Sequence, residues 1–154
     1  QPSLGAPVPA EEGRPRWVVA KPDVFSVRHT TVAGYLAPTV HEVKARRADL
    51  LGELRSTPRT DAKRAAYLAM SSECWYVLGL DARGRPIGTP DEIPDAFGVL
   101  QAWRQTSGDW RLEALRPAPR RALPHDSGLP FSAWMALARA IPAAASEDHA
   151  QGRL

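Results

Sequence analysis

A chain of 154 residues, 44% hydrophobic and 24% charged, has the size and balance of one globular domain, and it contains no apolar run near the roughly 18 residues of a membrane span. Its net charge of +3 permits a polyanionic partner without requiring one. A lone cysteine, Cys74, excludes an internal disulfide and any multi-cysteine zinc spacing, so a reducing, cytoplasmic setting is expected.

Residues 1–16 are rich in Pro, Gly and charge and lack a sustained period, which predicts an extended N-terminal arm. They carry neither an initiator Met nor the basic-then-apolar pattern of a secretory signal, so a processed or trimmed start is expected. The domain is predicted to begin at Trp17 and run to residue 123. "RWVVA" and "DVFSVR" read as two adjacent strands or one interrupted strand, split by Lys21-Pro22. "HTTVAGYLAP" is a connecting loop. "TVHEVK" is the next strand, and its period of two sends Val40, Glu42 and Lys44 to one face and His41 and Val43 to the other. "RRADLLGELRS" fits a short helix, with Leu50 and Leu54 one turn apart and Thr57-Pro58 ending it.

A second helix is predicted from Thr60 or Asp61 through "AKRAAYLAM", where small side chains allow close packing on a sheet. "CWYVLGL" is a strand, with Cys74 a small buried hydrophobe. Asp81 to Pro94 forms a turn and loop. "FGVLQAW" and "DWRLEAL" make a hairpin closed by residues 106–109. Arg116 to Pro130 is a connector, "FSAWMALARA" a final helix, and residues 124–154 together a C-terminal helix and flexible tail that frays from Pro142.

Strands interleaved with helices predict an α/β domain whose ligands gather at strand ends. Asp23 and Glu42 are both expected near such an end. Two carboxylates about 4 Å apart repel by roughly 4 kcal/mol at an effective dielectric of about 20, and a hard cation such as Mg²⁺ or Mn²⁺ relieves that repulsion. Lys44, on the face of Glu42, is placed to stabilise charge on a phosphodiester. From spacing alone, a strand-end ion pair of Glu42 with Lys44 and a turn-capping Asp23 account for the same residues. Lys63 and Tyr67, four apart on a helix, share a face and can present an amine and a phenol together. Arg46, Arg47, Arg64, Arg116, Arg120 and Arg121 are candidates for a phosphate-binding surface. No G-x-S-x-G elbow, P-loop or G-x-G-x-x-G occurs, which removes serine hydrolase, P-loop and Rossmann chemistry.

The order Asp23, spacer, Glu42-Val43-Lys44 resembles the PD-(D/E)XK nuclease-like superfamily. The run "RRADLLGEL...DAKRAAYLAMSSECWYVL", followed by "DEIP", "FGVL" and "RPAPRRAL", is similar to MmcB-like DNA-repair proteins over about residues 21–123. The resemblance implies a restriction-endonuclease-like α/β fold, a mixed central β-sheet flanked by helices. It implies DNA as partner, Mg²⁺ or Mn²⁺ held by Asp23 and Glu42, Lys44 as catalytic lysine, and Lys63 and Tyr67 on the substrate side, where the charge of Arg46 is counted as a further contact. The implied activity is metal-dependent hydrolysis of DNA; the alternative is a catalytically silent nuclease-fold module that binds nucleic acid or a repair partner. Many superfamily members add an acid upstream of the first core strand. Here only Glu11 and Glu12 precede Asp23, in a segment that reads as non-helical.

Overall fold

The computed structural model describes residues 4–8, 16–32, 35–122, 129 and 131–139; Glu11, Glu12 and the tail after Pro142 lie outside them. In chain order the described elements are β1 (Leu4–Val8), β2 (Arg16–Ala20), β3 (Val24–Ser26), β4 (Thr39–Lys44), α1 (Arg47–Leu54), α2 (Pro58–Met70), β5 (Glu73–Leu78), β6 (Gly98–Arg104), β7 (Trp110–Arg116) and α3 (Phe131–Arg139). They form an α/β structure with a five-stranded mixed sheet in the order β3-β4-β5-β6-β7. β4, β5 and β6 run parallel at its centre, and β3 and β7 are antiparallel edges.

β1 and β2 pair antiparallel as a separate two-stranded sheet, Leu4 opposite Ala20 and Val8 opposite Arg16. Within the stretch expected to be an extended arm, Leu4–Val8 is thus a paired strand. The partner that makes a strand of it is β2, and the pair packs on α2, with β1 also against α3.

The central sheet buries one face. Val40, Cys74, Tyr76, Leu78 and Val99 share it, and Leu50, Ala66, Tyr67, Met70, Ile93 and Phe97 close the core around them. Tyr76 meets Phe97 edge-on with ring centroids 5.2 Å apart. The alternation expected for β4 holds: Val40, Glu42 and Lys44 are buried, His41 half-buried and Val43 exposed. Placing Glu42 and Lys44 among core residues creates the electrostatic problem that the site resolves.

α1 ends at Leu54, before the Thr57-Pro58 pair expected to stop it. That pair instead starts α2, two or three residues earlier than predicted. Thr57 is the N-cap and accepts from the Thr60 amide, the Thr60 hydroxyl accepts from the Thr57 amide, and Pro58 takes the first helical position. Pro is favoured there because its missing N–H is one the helix leaves unpaired anyway. The hairpin joining β6 and β7 turns at residues 105–109, where Gly108 has φ +94°, a value that costs glycine little.

Candidate functional site

Three elements deliver the polar side chains that meet beneath the sheet edge. β4 supplies Glu42 and Lys44, α1 supplies Glu53, and α2 supplies Lys63 and Tyr67. Glu42 is only 4% exposed, and three donors satisfy it. Its Oε1 accepts from Lys44 Nζ at 2.5 Å and Lys63 Nζ at 2.7 Å, and its Oε2 accepts from the Tyr67 hydroxyl at 2.8 Å. Glu53 Oε2 accepts from Lys63 Nζ at 3.1 Å and lies 3.8 Å from Lys44 Nζ. Two ammonium groups thus bridge two carboxylates, and the four formal charges cancel.

These contacts set the protonation states. Burial opposes ionisation of Glu42, but the hydrogen bonds from Lys44, Lys63 and Tyr67 outweigh it and hold the carboxyl below its ordinary range. Burial likewise opposes the Lys63 charge, and Glu42 and Glu53 together hold its pKa above the ordinary lysine value. Tyr67 is pushed well up, first by burial and then by the negative charges of Glu42, Glu53 and Asp23. The phenol therefore stays protonated and acts as a donor, shared between Glu42 and the Lys21 carbonyl at 3.0 Å. Lys63 Nζ also stands 5.4 Å from the centre of the Tyr67 ring, within cation–π range.

Asp23 lies at the head of β3, where the strand pairing stops: Val24 faces His41, and Asp23 comes next, at the position opposite Glu42. Its Oδ2 accepts from the Val43 amide at 2.8 Å, continuing the ladder with a side-chain acceptor. The side chain is exposed, and its charge is felt at Tyr67. The structure thus brings Glu42, Lys44, Lys63 and Tyr67 into direct contact, with Asp23 at the neighbouring strand position opposite Glu42. It also realises the simpler expectation for the same residues, since Glu42 and Lys44 form the ion pair and Asp23 caps a strand end.

Glu53 was not singled out from sequence. The signal was there: Leu50 and Leu54 mark the inward stripe of α1, and Glu53 is three residues past one and adjacent to the other. An acid on an inward stripe needs a partner, and here it has Lys63. Its second oxygen, Oε1, is buried and accepts no hydrogen bond among the described residues.

The arginines divide. Arg46 is exposed at the head of α1, and Arg120 is exposed in the connector. The other four are engaged within the fold. Arg47 pairs with Glu92 and donates to the Ile87 carbonyl. Arg64 pairs with Asp61 and donates to the Glu53 carbonyl. Arg121 donates to the Ala96 carbonyl and reaches the Cys74 sulfur. Arg116 donates to the carbonyls of Pro90, Ile93, Pro94 and Phe97 and to Asp95, locking the loop before β6. A guanidinium committed to several carbonyls has few donors left for a phosphate.

Among the described residues no group of three or more His, Cys, Asp or Glu side chains is arranged to hold a metal ion. Mg²⁺ does not demand such a cage, because it is commonly bound by one or two carboxylates with water and phosphate completing the shell. The hard oxygens of Asp23 and Glu42 are of the type that fits that chemistry, and Glu53 does not join them as a third ligand. A cation there competes with Lys44 and Lys63 for Glu42. Lys63, with a side chain 26% exposed against 10% for Lys44, is the one with room to turn toward a ligand.

Comparison of the chain with protein-family models, curated proteins and solved structures gave no match. Among the described residues no helix is long and apolar enough to cross a membrane.

Proposed function

We propose that this chain is a restriction-endonuclease-like, metal-dependent deoxyribonuclease of the DNA-repair kind, acting on phosphodiester bonds in the cytoplasm. The observation that carries the proposal is the meeting of Glu42, Lys44, Lys63 and Tyr67 from β4 and α2, with Asp23 at the β3 position opposite Glu42.

Asp23 and Glu42 are the residues that would hold Mg²⁺ or Mn²⁺. When bound, the ion supplies a water of lowered pKa and neutralises phosphate charge. Lys44, buried and fixed by Glu42, stabilises negative charge developing on the phosphate oxygens. Tyr67, kept protonated, and Lys63, partly exposed, donate to the phosphate, and Arg46 neutralises the neighbouring backbone.

Asp23→Ala and Lys44→Ala, each checked for fold by circular dichroism, are expected to lower Mg²⁺-dependent DNA cleavage by about 100-fold or more. Full activity in either folded variant sinks the mechanism. The cancelling charges of the two lysines and two glutamates favour one other reading, a catalytically silent nuclease fold that binds nucleic acid or a repair partner. Salt-sensitive DNA binding by the wild type, without cleavage in Mg²⁺ or Mn²⁺ on several DNA structures, selects that reading.

A further inference from the structure

β7 is the last strand of the five-stranded sheet, and all of its residues but Arg116 are exposed. The opposite edge, β3, is only three residues long and is stopped by the Asp23 cap. β7 is seven residues long, contains no proline, and carries Trp110 and Leu112 at 60% and 55% exposure. Long exposed edges with apolar side chains are templates for another strand.

The hairpin fixes which backbone groups of β7 are available. Gln105 N–H donates to the Asp109 carbonyl, and Arg104 faces Trp110. Antiparallel alternation then makes Trp103–Arg111 and Gln101–Glu113 the hydrogen-bonded pairs. The N–H and C=O groups of Trp110, Leu112 and Ala114 consequently point away from β6.

We infer that two copies of this chain associate through β7, antiparallel, about a twofold axis at Leu112. In that register Leu112 faces the partner's Leu112 and Trp110 faces the partner's Ala114, each pair exchanging two backbone hydrogen bonds. Between them, at the close-spaced non-hydrogen-bonded positions, Arg111 stands opposite the partner's Glu113, and the symmetry repeats the pair. Glu113 is already oriented, since its Oε2 accepts from Trp103 Nε1 at 2.7 Å. Leu112 packs on its own copy, and the large Trp110 lies over a small alanine. Other axes that respect the outward groups do worse. Axes at Arg111 and at Glu113 set like charges opposite each other, one at Trp110 runs out of strand at the Ser107-Gly108 turn, and one at Ala114 sets Glu113 opposite Leu115. Charge, size and backbone polarity thus agree on a single self-complementary register, which joins two five-stranded sheets into one.

The dimer is independent of the proposed nuclease activity and is tested without it. Sedimentation velocity of the full chain over about 1–100 µM, a range spanning moderate homodimer affinities, is expected to show a monomer–dimer equilibrium. Arg111→Glu sets like charges opposite each other twice and is expected to weaken dimerisation about tenfold or more. Glu113→Arg does the same, and the doubly reversed R111E/E113R chain restores association. Because Glu113→Arg also removes the Trp103 contact, Ala114→Pro serves as a second probe. It deletes an outward N–H that the hairpin does not use and is expected to give a folded monomer. A wild type that stays monomeric throughout, a dimer indifferent to Arg111→Glu, or a folded charge-swapped chain that stays monomeric overturns the inference.

Discussion

Replacing Glu42 with Gln removes one negative charge from the centre of the site while keeping its shape and one oxygen acceptor. In the wild type, two ammonium groups lie 2.5 and 2.7 Å from Oε1. At an effective dielectric of about 20, each contact is worth roughly 6 kcal/mol of gross attraction. Most of that is offset. Lys63 is partly exposed and regains water, and both lysines keep Glu53. The expected net loss is therefore about 3 kcal/mol, the lower end of what breaking a buried ion pair costs. For a domain of this size that lowers Tm by about 6–12 °C. The pH dependence supplies a second check. The Glu42 carboxyl is held below its unfolded value, about 4.5, so its stabilisation is fully present above that pH. It is lost as pH falls through the folded value, where the wild type also carries a neutral group. Urea unfolding of wild type and Glu42→Gln at pH 7 and in acid at about pH 3 measures the gap at both ends. A gap under about 1 kcal/mol at neutral pH, or one that persists undiminished in acid, refutes the assigned role of Glu42.

Two further substitutions probe the frame around the site. Arg116→Ala abandons four carbonyls and Asp95 and is expected to destabilise the chain by about 2–4 kcal/mol in urea unfolding. It should leave unchanged the salt dependence of the proposed DNA binding, and a slope reduced by about 1 would place Arg116 among the phosphate contacts. Gly98→Ala drives a methyl into the Trp75 ring and to 2.6 Å from the Ala118 amide nitrogen, where β5 and the chain after β7 close around β6. Overpacking there should cost about 1–3 kcal/mol, read as a lower urea midpoint at unchanged slope. A neutral result would mean that the Ala118 segment gives way freely.

Local pattern carried far in this chain. The period of two in "TVHEVK" put Glu42 and Lys44 on one face of β4, and the helix spacing put Lys63 and Tyr67 on one face of α2, as the structure has them. Both follow from backbone geometry alone, which alternates side chains along a strand and aligns every fourth residue on a helix. Helix boundaries were less legible. Thr57-Pro58 carries both stop and start signals, and only the reciprocal hydrogen bonds with Thr60 make it a start.

What the sequence by itself determined is the set of elements from β2 onward and which side chains share a face. What only the tertiary structure decided is partnership across the chain. Glu53 meets Lys63 because α1 and α2 fold back beside β4, and Arg116 becomes a clamp because the loop before β6 curls around it. Leu4–Val8 becomes a strand for the same reason, once β2 is there to pair with it. A charged or extended segment has no intrinsic destination; the groups that satisfy its hydrogen bonds lie far away in sequence, and folding alone brings them within reach.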